Sequence, residues 1–121
     1  MQVLLVDDSR AQRCVVRGML KEFGFEVAEA SDGKEGLTKL CAMAGTDVAI
    51  IDWNMPEMNG LELIQVIRSR AEFQKLPILM ATTETEMAQV ATALSAGATE
   101  YVMKPYGKEA LRDKLALLGL L

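Results

Sequence analysis

The chain has 121 residues, half of them apolar and a quarter charged, which suits one globular domain with a single core. Its net charge of −4 argues against a general nucleic-acid binder, which needs a basic patch. The absence of histidine excludes a Ser-His-Asp triad, histidine metal ligands and a phosphohistidine donor. No apolar run reaches the ~20 residues of a membrane span, so we expect a cytoplasmic protein with no secretory leader.

Short apolar runs alternate with amphipathic segments along the whole chain. We predict five strands, at Gln2–Val6, Glu26–Ala30, Thr46–Asp52, Pro77–Thr82 and Thr99–Met103. Apolar residues at helical spacing predict a helix after each strand. The five predicted apolar faces are Ala11, Cys14, Val15, Gly18, Met19 and Phe23; Leu37, Leu40, Cys41 and Ala44; Gly60, Leu61, Ile64 and Ile67; Met87, Val90, Ala91 and Leu94; and Leu111, Leu115 and Leu118. We therefore predict that both cysteines are reduced thiols that lie in the core.

Alternating strands and helices predict one α/β domain over residues 1–121, a (βα)5 fold with helices on both faces of a parallel sheet. Right-handed crossovers place all the strand-to-helix loops at one edge of that sheet. The ends of four strands bring polar residues to this edge: Asp7 and Asp8, Asp52 and Asn54, Thr82 and Thr83, and Lys104. Ligands of open α/β sheets bind at this edge.

The three carboxylates of this edge predict a cation site. Carboxylates that converge repel each other, and a bound cation or protonation of one member relieves the repulsion. Ligands that are all oxygen indicate Mg²⁺, or Mn²⁺ in its place. Asp52, at the end of an apolar strand that is broken by Pro56, is placed to attack phosphorus and form an acyl phosphate. Asp8 alone would fit a helix cap, and Lys104 alone a solvated lysine; their convergence favours a site for metal and phosphoryl groups.

These residues stand in segments that resemble the receiver domains of bacterial response regulators, most of all the single-domain chemotaxis regulators. The resemblance implies a flavodoxin-like three-layer sandwich with strand order 2-1-3-4-5. The matching segments span the chain in order, at Val6–Ser9, Asp52–Pro56, Gly60–Leu63, Leu76–Met80 with Thr82, and Tyr101–Pro105.

The resemblance implies a role for each acidic residue. Asp52 would be the phosphoacceptor. Asp8, Asp52 and the backbone carbonyl of Asn54 would hold Mg²⁺, with Asp7 acting through a bound water. Asn54 and Glu84 would flank the attacking water of dephosphorylation and imply a phosphoryl group that is short-lived.

The resemblance also implies how the phosphoryl group is bound and sensed. Lys104 would pair with it, and the Thr82 hydroxyl would donate a hydrogen bond to it. The Lys104–Pro105 peptide bond would be cis. The backbone amides of Trp53 and Thr83 would bind its oxygens. Thr82 and Tyr101 would form a switch in which the tyrosine ring moves inward, whereas the residues alone favour a core aromatic at Tyr101. Trp53 is expected to be a loop aromatic that senses the site.

The function that the resemblance implies is a phosphorylation-activated switch. Such a protein catalyses only its own phosphorylation and dephosphorylation and is otherwise not an enzyme. A histidine kinase or a phosphotransfer domain would donate the phosphoryl group. The face formed by helix four, strand five and helix five would then bind a protein target, such as the flagellar switch. We expect no nucleic-acid or membrane partner, and a monomer or a phosphorylation-dependent dimer.

Three alternatives stay open. One is a receiver cut from a larger regulator or hybrid kinase. Leu117, Leu120 and Leu121 lie off the apolar stripe, and they would contact a second protomer or a missing domain. Residues 84–98 lack Lys and Arg, unlike the best-known chemotaxis regulators, which argues against binding to the flagellar switch and leaves open the role of a phosphate sink or another adaptor. A phosphatase of the haloacid dehalogenase type needs a second aspartate where Asn54 stands. No G-x-G-x-x-G follows the first strand, which excludes a dinucleotide site.

Overall fold

A computed structural model describes residues 1–43, 45–55, 58–83 and 88–121. Strands and helices alternate along these residues, as the sequence predicts. The elements are β1 Gln2–Val6, α1 Arg10–Glu22, β2 Glu26–Ala30, α2 Gly33–Ala42, β3 Thr46–Asp52, α3 Gly60–Arg68, a 3₁₀ helix Ala71–Phe73, β4 Ile78–Thr82, α4 Val90–Ala96, β5 Glu100–Met103 and α5 Lys108–Leu117. The predicted bounds of the first three strands are confirmed, and the last two strands begin one residue later than predicted.

The five strands form one parallel sheet in the order β2-β1-β3-β4-β5, which confirms the order that the resemblance implies. Val6 pairs with Ile51, and Asp52 pairs with Ala81, so the carboxyl ends of these strands are level with one another. Residues that follow the strands therefore meet at one edge of the sheet.

Helices cover both faces of the sheet, and each face has its own apolar core. One core joins the sheet to α2, α3 and α4 through side chains such as Leu40, Ile64 and Ala93. The other joins it to α1 and α5 through Leu20 and Leu111. This is the predicted three-layer sandwich. Its central strands are buried on both faces, which is why their sequences are continuous apolar runs.

The buried face of α1 is only partly the one that the sequence predicts. Met19 and Phe23 are half-buried and pack against the core, as predicted. Val16 and Leu20 are fully buried, whereas the predicted Cys14 and Val15 are exposed, with Val15 at 55%. This part of the prediction was wrong because small, weakly apolar residues at positions 11, 14 and 18 mimic a stripe. The larger Val16 and Leu20, four residues apart, bury more apolar area and decide which face packs.

Two other predicted apolar faces need smaller corrections. Cys41 on α2 is exposed, so neither cysteine is a core thiol. On α4 the buried residues are Val90 and Ala93, three residues apart, while Leu94 is 41% exposed. The predicted faces counted every apolar residue, but these helices are short and bury only the positions turned towards the sheet and α3. The predicted Ala44 and Met87 lie outside the described residues.

In the described part of the chain, no helix is long and apolar enough to cross a membrane.

The loop aromatic Trp53 is less exposed than the sequence suggests. It follows β3 but is only 8% exposed and packs in the core that α2, α3 and α4 share.

Candidate functional site

The predicted acidic residues meet at the carboxyl edge of the sheet. Asp7 and Asp8 follow β1, and Asp52 is the last residue of β3. One carboxylate oxygen from each of the three lies within 4.8 Å of the others. Asp7 and Asp52 are buried and Asp8 is exposed, so the cluster opens to solvent on one side.

Two hydrogen bonds fix the orientation of Asp7. The backbone amide of Ser9 donates to its carboxylate oxygen Oδ1 over 2.9 Å. The Arg13 guanidinium of α1 donates to its backbone carbonyl over 2.5 Å. Ser9 caps α1, since its hydroxyl accepts from the Gln12 amide, so the start of that helix and the acidic residue are held together.

Lys104, which follows β5, is the cation of the site. Its ammonium nitrogen lies 3.0 Å from Asp7 Oδ2 and 3.0 Å from Asp52 Oδ1. The backbone amide of Lys104 donates to the Thr82 carbonyl over 2.6 Å, which ties the residue to the end of β4. The Lys104–Pro105 peptide bond is cis, as the resemblance implies.

The surroundings shift the pKa of both partners of this ion pair. Burial raises the pKa of the Asp52 carboxyl to about 6; Lys104 opposes this shift, and the charges of Asp7 and Asp8 add to it. Burial lowers the pKa of the Lys104 ammonium, but its hydrogen bonds and charge interactions with Asp52 and Asp7 outweigh burial and raise it. One ammonium therefore faces more negative charge than it can neutralise.

The donor set fits a divalent magnesium-like cation. Three carboxylates against one ammonium leave two negative charges, which Mg²⁺ would balance. Ligand atoms of an octahedral ion with bonds of ~2.1 Å lie roughly 3–4 Å apart, close to the spacing of this cluster. Carboxylate oxygens, with the Asn54 carbonyl nearby in sequence and one face open to water, are the ligands that Mg²⁺ prefers.

The residues predicted to bind phosphoryl oxygens lie at the ends of β3 and β4. Thr82 is fully buried, and its hydroxyl donates to the Thr83 carbonyl over 3.3 Å. The Trp53 amide donates to the Ala81 carbonyl over 3.0 Å, so it continues the hydrogen bonding between β3 and β4. Binding of phosphoryl oxygens by Trp53 and Thr83 therefore stays a prediction, which for Trp53 requires this bond to be shared or released.

The loop after Asp52 closes back on the strand. The Gly60 amide, at the start of α3, donates to the Trp53 carbonyl over 2.9 Å. A Cβ atom on Gly60 would lie 2.5 Å from the Asp52 carbonyl oxygen and 2.8 Å from the Trp53 Cα. Asn54 is exposed in this loop, while Pro56 and the predicted Glu84 lie outside the described residues.

Tyr101 lies on β5, at the edge of the sheet. Its ring is half-buried against the core shared by α2, α3 and α4, and the Lys114 ammonium lies 4.8 Å from its centroid. Lys114 also pairs with Glu100 over 3.1 Å. The ring thus has both a core contact and a surface contact, and the proposed movement of the ring stays a prediction.

Tyr106 is a residue of the site that the sequence reasoning missed. It is 8% exposed and packs in the core that α1 and α5 share. Burial, followed by the negative charges of Asp7 and Asp52, raises the pKa of its phenol, so the hydroxyl stays neutral beside the acidic cluster. Its position two residues after Lys104 is the only signal in the sequence that could have indicated it.

The sheet topology and the acidic site with its lysine are features of one protein family. The family model for the response regulator receiver domain matches residues 3–116, and the chain is a member of that family. It is therefore a signalling domain of the response-regulator class, which sets aside the haloacid dehalogenase alternative.

Similar proteins support the assignment over almost the whole chain. The chain is 46% identical to the "Chemotaxis protein CheY1" of Helicobacter pylori over 98% of its length and 96% of that protein's. It is 42% identical to a CheY homolog of Campylobacter jejuni, over 95% of this chain and 89% of that protein. The crystal structure of the chemotaxis response regulator CheY4 of Vibrio cholerae matches with a TM-score of 0.89 and 39% identity, over 97% of both chains.

Proposed function

We propose that this chain is a phosphorylation-activated switch of the chemotaxis type, whose phosphoacceptor is Asp52. The observation that carries the proposal is the cluster of Asp7, Asp8 and Asp52 with Lys104 bonded to two of them. This constellation positions a carboxylate nucleophile and supplies positive charge, which are the main requirements of phosphoryl transfer. The relatives named as chemotaxis proteins support the pathway.

The proposed reaction is a transfer from a phosphohistidine. An oxygen of Asp52 forms a bond to phosphorus while the bond from phosphorus to the donor imidazole nitrogen breaks, and that nitrogen retains the electron pair. Mg²⁺, when bound by Asp8, Asp52 and the Asn54 carbonyl, with Asp7 acting through a water, would neutralise charge on the phosphoryl oxygens. Lys104 turns from the carboxylates to the new phosphoryl group and stabilises it.

The output of the switch starts at Thr82. Its hydroxyl, which now donates to the Thr83 carbonyl, turns to the phosphoryl oxygen and vacates space beside β5. Tyr101 then moves inward and loses its contact with Lys114, which changes the surface of α5. A phosphoryl group biases such a two-state element by bonding better to one state than to the other.

The target would bind the face formed by α4, β5 and α5. Each of these elements exposes one large apolar side chain: Leu94 is 41%, Met103 40% and Leu117 71% exposed. Apolar side chains that share a face and are rimmed by polar residues are typical of protein interfaces. We propose a histidine kinase or phosphotransfer domain as the donor and a protein as the target.

Phosphorylation with a small phosphodonor tests the acceptor. In the presence of Mg²⁺, the wild-type chain should gain one phosphoryl group by intact mass, and Asp52→Asn should gain none. Asp32→Asn is the matched control, since Asp32 also follows a strand at this edge and asparagine can replace it as the cap of α2. Incorporation that persists in Asp52→Asn would assign the nucleophile to another residue and overturn the proposal.

A further inference from the structure

A cleft of about 420 Å³ opens between α1 and α2, beside the end of β2. Its volume falls within the ~300–1,000 Å³ of small-molecule sites. In the described part of the chain, six charged side chains line it: the cations Arg10, Arg13, Arg17 and Lys39, and the anions Glu29 and Glu35. None of these side chains belongs to the acidic cluster, although the Arg13 guanidinium also donates to the backbone carbonyl of Asp7.

The ion pairs in the cleft leave positive charge uncompensated. Glu29 is shared by two guanidinium groups, that of Arg13 at 3.3 Å and that of Arg17 at 2.8 Å. Lys39 lies 3.8 Å from Glu35. Arg10 is exposed and has no ion-pair partner among the described residues. Four cations against two anions give an excess of two positive charges, in a chain whose net charge is −4.

The start of α1 adds to this positive potential. Arg10 is the first residue of the helix, and its first turn holds no acidic residue, whereas α2, α3 and α5 each have a glutamate there. A helix amino terminus carries partial positive charge, so an arginine at this position is unfavourable by itself. An anion held in the cleft would relieve the repulsion.

We propose that this cleft is a binding site for a compact di- or polyphosphate. Guanidinium groups bind phosphate oxygens through paired, charge-assisted hydrogen bonds, which makes arginine-lined sites selective for phosphates. Among the described residues, no aromatic side chain lines the cleft and the apolar lining is Ala30 and Cys14, so none of these residues would bind a nucleobase. The ligand is therefore recognised by its phosphates alone.

Titration with inorganic pyrophosphate tests the site. Divalent cations are removed with EDTA, so that the acidic cluster cannot capture the probe through a metal ion. The wild-type chain should bind pyrophosphate saturably, and Arg10→Gln should weaken binding roughly fivefold to tenfold, as expected for one charge-assisted contact. Arg112→Gln, on the exposed surface of α5, is the control and should bind like the wild type. Arg13 is left in place because it also holds the Asp7 carbonyl.

The two exposed cysteines provide a second readout. The Cys14 sulfur lines the cleft, 3.9 Å from the Arg17 guanidinium, whereas Cys41 does not line it. Bound pyrophosphate should slow the reaction of Cys14 with a neutral thiol reagent and leave the rate at Cys41 unchanged. Equal affinity of the Arg10→Gln and Arg112→Gln variants, equal slowing at both thiols, or no saturable binding would each refute the proposal.

Discussion

The Lys104 ammonium lies 3.0 Å from Asp52 Oδ1, and this contact brings opposite charges together without making the site neutral. The same ammonium is 3.0 Å from Asp7, and Asp8 adds a third carboxylate to the cluster. Burial raises the pKa of the Asp52 carboxyl to about 6; Lys104 opposes this shift, and the charges of Asp7 and Asp8 add to it. Without a divalent cation, the ionised form of Asp52 is therefore disfavoured in the folded protein.

This raised pKa predicts how stability depends on pH without metal. Between the ordinary carboxyl pKa and about 6, the folded chain holds a proton at Asp52 that the unfolded chain has lost. The free energy of unfolding should therefore fall as pH rises through this window. Asp52→Asn, which stays neutral, should remove that part of the slope and be more stable than the wild type at pH 7, by on the order of 1–3 kcal/mol.

Urea denaturation in EDTA at several pH values between about 4 and about 8 measures this effect, because this range begins near the ordinary carboxyl pKa of ~4 and extends beyond the raised pKa of Asp52. Addition of Mg²⁺ should stabilise the wild type more than Asp52→Asn, because a metal ion that binds the folded state adds its binding free energy. A wild type that becomes more stable as pH rises from 4 to about 7, relative to Asp52→Asn, would contradict the assigned shift.

Replacement of Lys104 should separate metal binding from signalling. Lys104→Ala removes the ammonium that pairs with the Asp7 and Asp52 carboxylates and competes with a metal ion for them. Mg²⁺ should therefore bind at least as tightly as in the wild type. Trp53, buried beside Asp52, reports the titration through its fluorescence. The variant should not shift to the active surface after phosphodonor treatment, which amide exchange of β5 and α5 would measure. Loss of Mg²⁺ binding in Lys104→Ala would show that the lysine positions the carboxylates for the metal.

Gly60 should tolerate no side chain. A Cβ atom there would meet backbone atoms of Asp52 and Trp53 at 2.5 and 2.8 Å, and backbone cannot turn aside as a flexible side chain can. We expect Gly60→Ala to lower the free energy of unfolding by ~1–3 kcal/mol and to weaken Mg²⁺ binding, since the end of β3 must move. Gly18→Ala is the control: nothing lies within 4 Å of its Cβ, and alanine in a helix interior should stabilise by ~0.5–1 kcal/mol. Equal stability of the two variants would argue against this close packing.

The strands and the acidic cluster were predictable because each depends on a local pattern. Strands buried on both faces show as unbroken apolar runs, and parallel topology alone brings Asp7 and Asp52 to one edge. The buried face of α1 was only partly predictable: Met19 and Phe23 pack against the core as predicted, but small residues such as Cys14 fit either face, and only packing against the sheet selects one. The proximity of Tyr106 to the acidic cluster was also missed, because it depends on how the side chain is buried in the fold and not on a pattern in the sequence.

Arg68 illustrates a contact that no sequence pattern indicates. Its guanidinium, on α3, donates to the carbonyls of Phe73 over 2.6 Å and Gly97 over 3.0 Å. Its third neighbour is the Thr99 hydroxyl at 3.5 Å, and burial lowers the pKa of the group. The residue therefore ties the end of α4 and the start of β5 to α3, and these segments adjoin the proposed target face.

Arg68→Met should destabilise the fold, because it removes the guanidinium donor of the Gly97 carbonyl and leaves the Phe73 carbonyl only the longer bond from the Leu76 amide, at 3.4 Å, while it keeps most of the apolar stem. We expect a loss of ~1–3 kcal/mol in the free energy of unfolding and faster amide exchange in α4. Arg70→Met is the control, since Arg70 is exposed and its pair with Glu72, at 3.7 Å, contributes little. If amide exchange of α4 is equally slow in both variants, Arg68 does not anchor that helix.

Tyr106 should resist ionisation more than an ordinary tyrosine. Burial and the charges of Asp7 and Asp52 raise the pKa of its phenol, so in alkali the unfolded chain loses a proton that the folded chain keeps. The free energy of unfolding should therefore fall as pH rises above the ordinary tyrosine pKa of ~10, and Tyr106→Phe should reduce this loss. Denaturant melts of both chains in alkaline buffers measure it, with Tyr101→Phe as the control for a second tyrosine. An identical alkaline slope in the wild type and Tyr106→Phe would mean that neither burial nor the acidic cluster raises the pKa of this phenol.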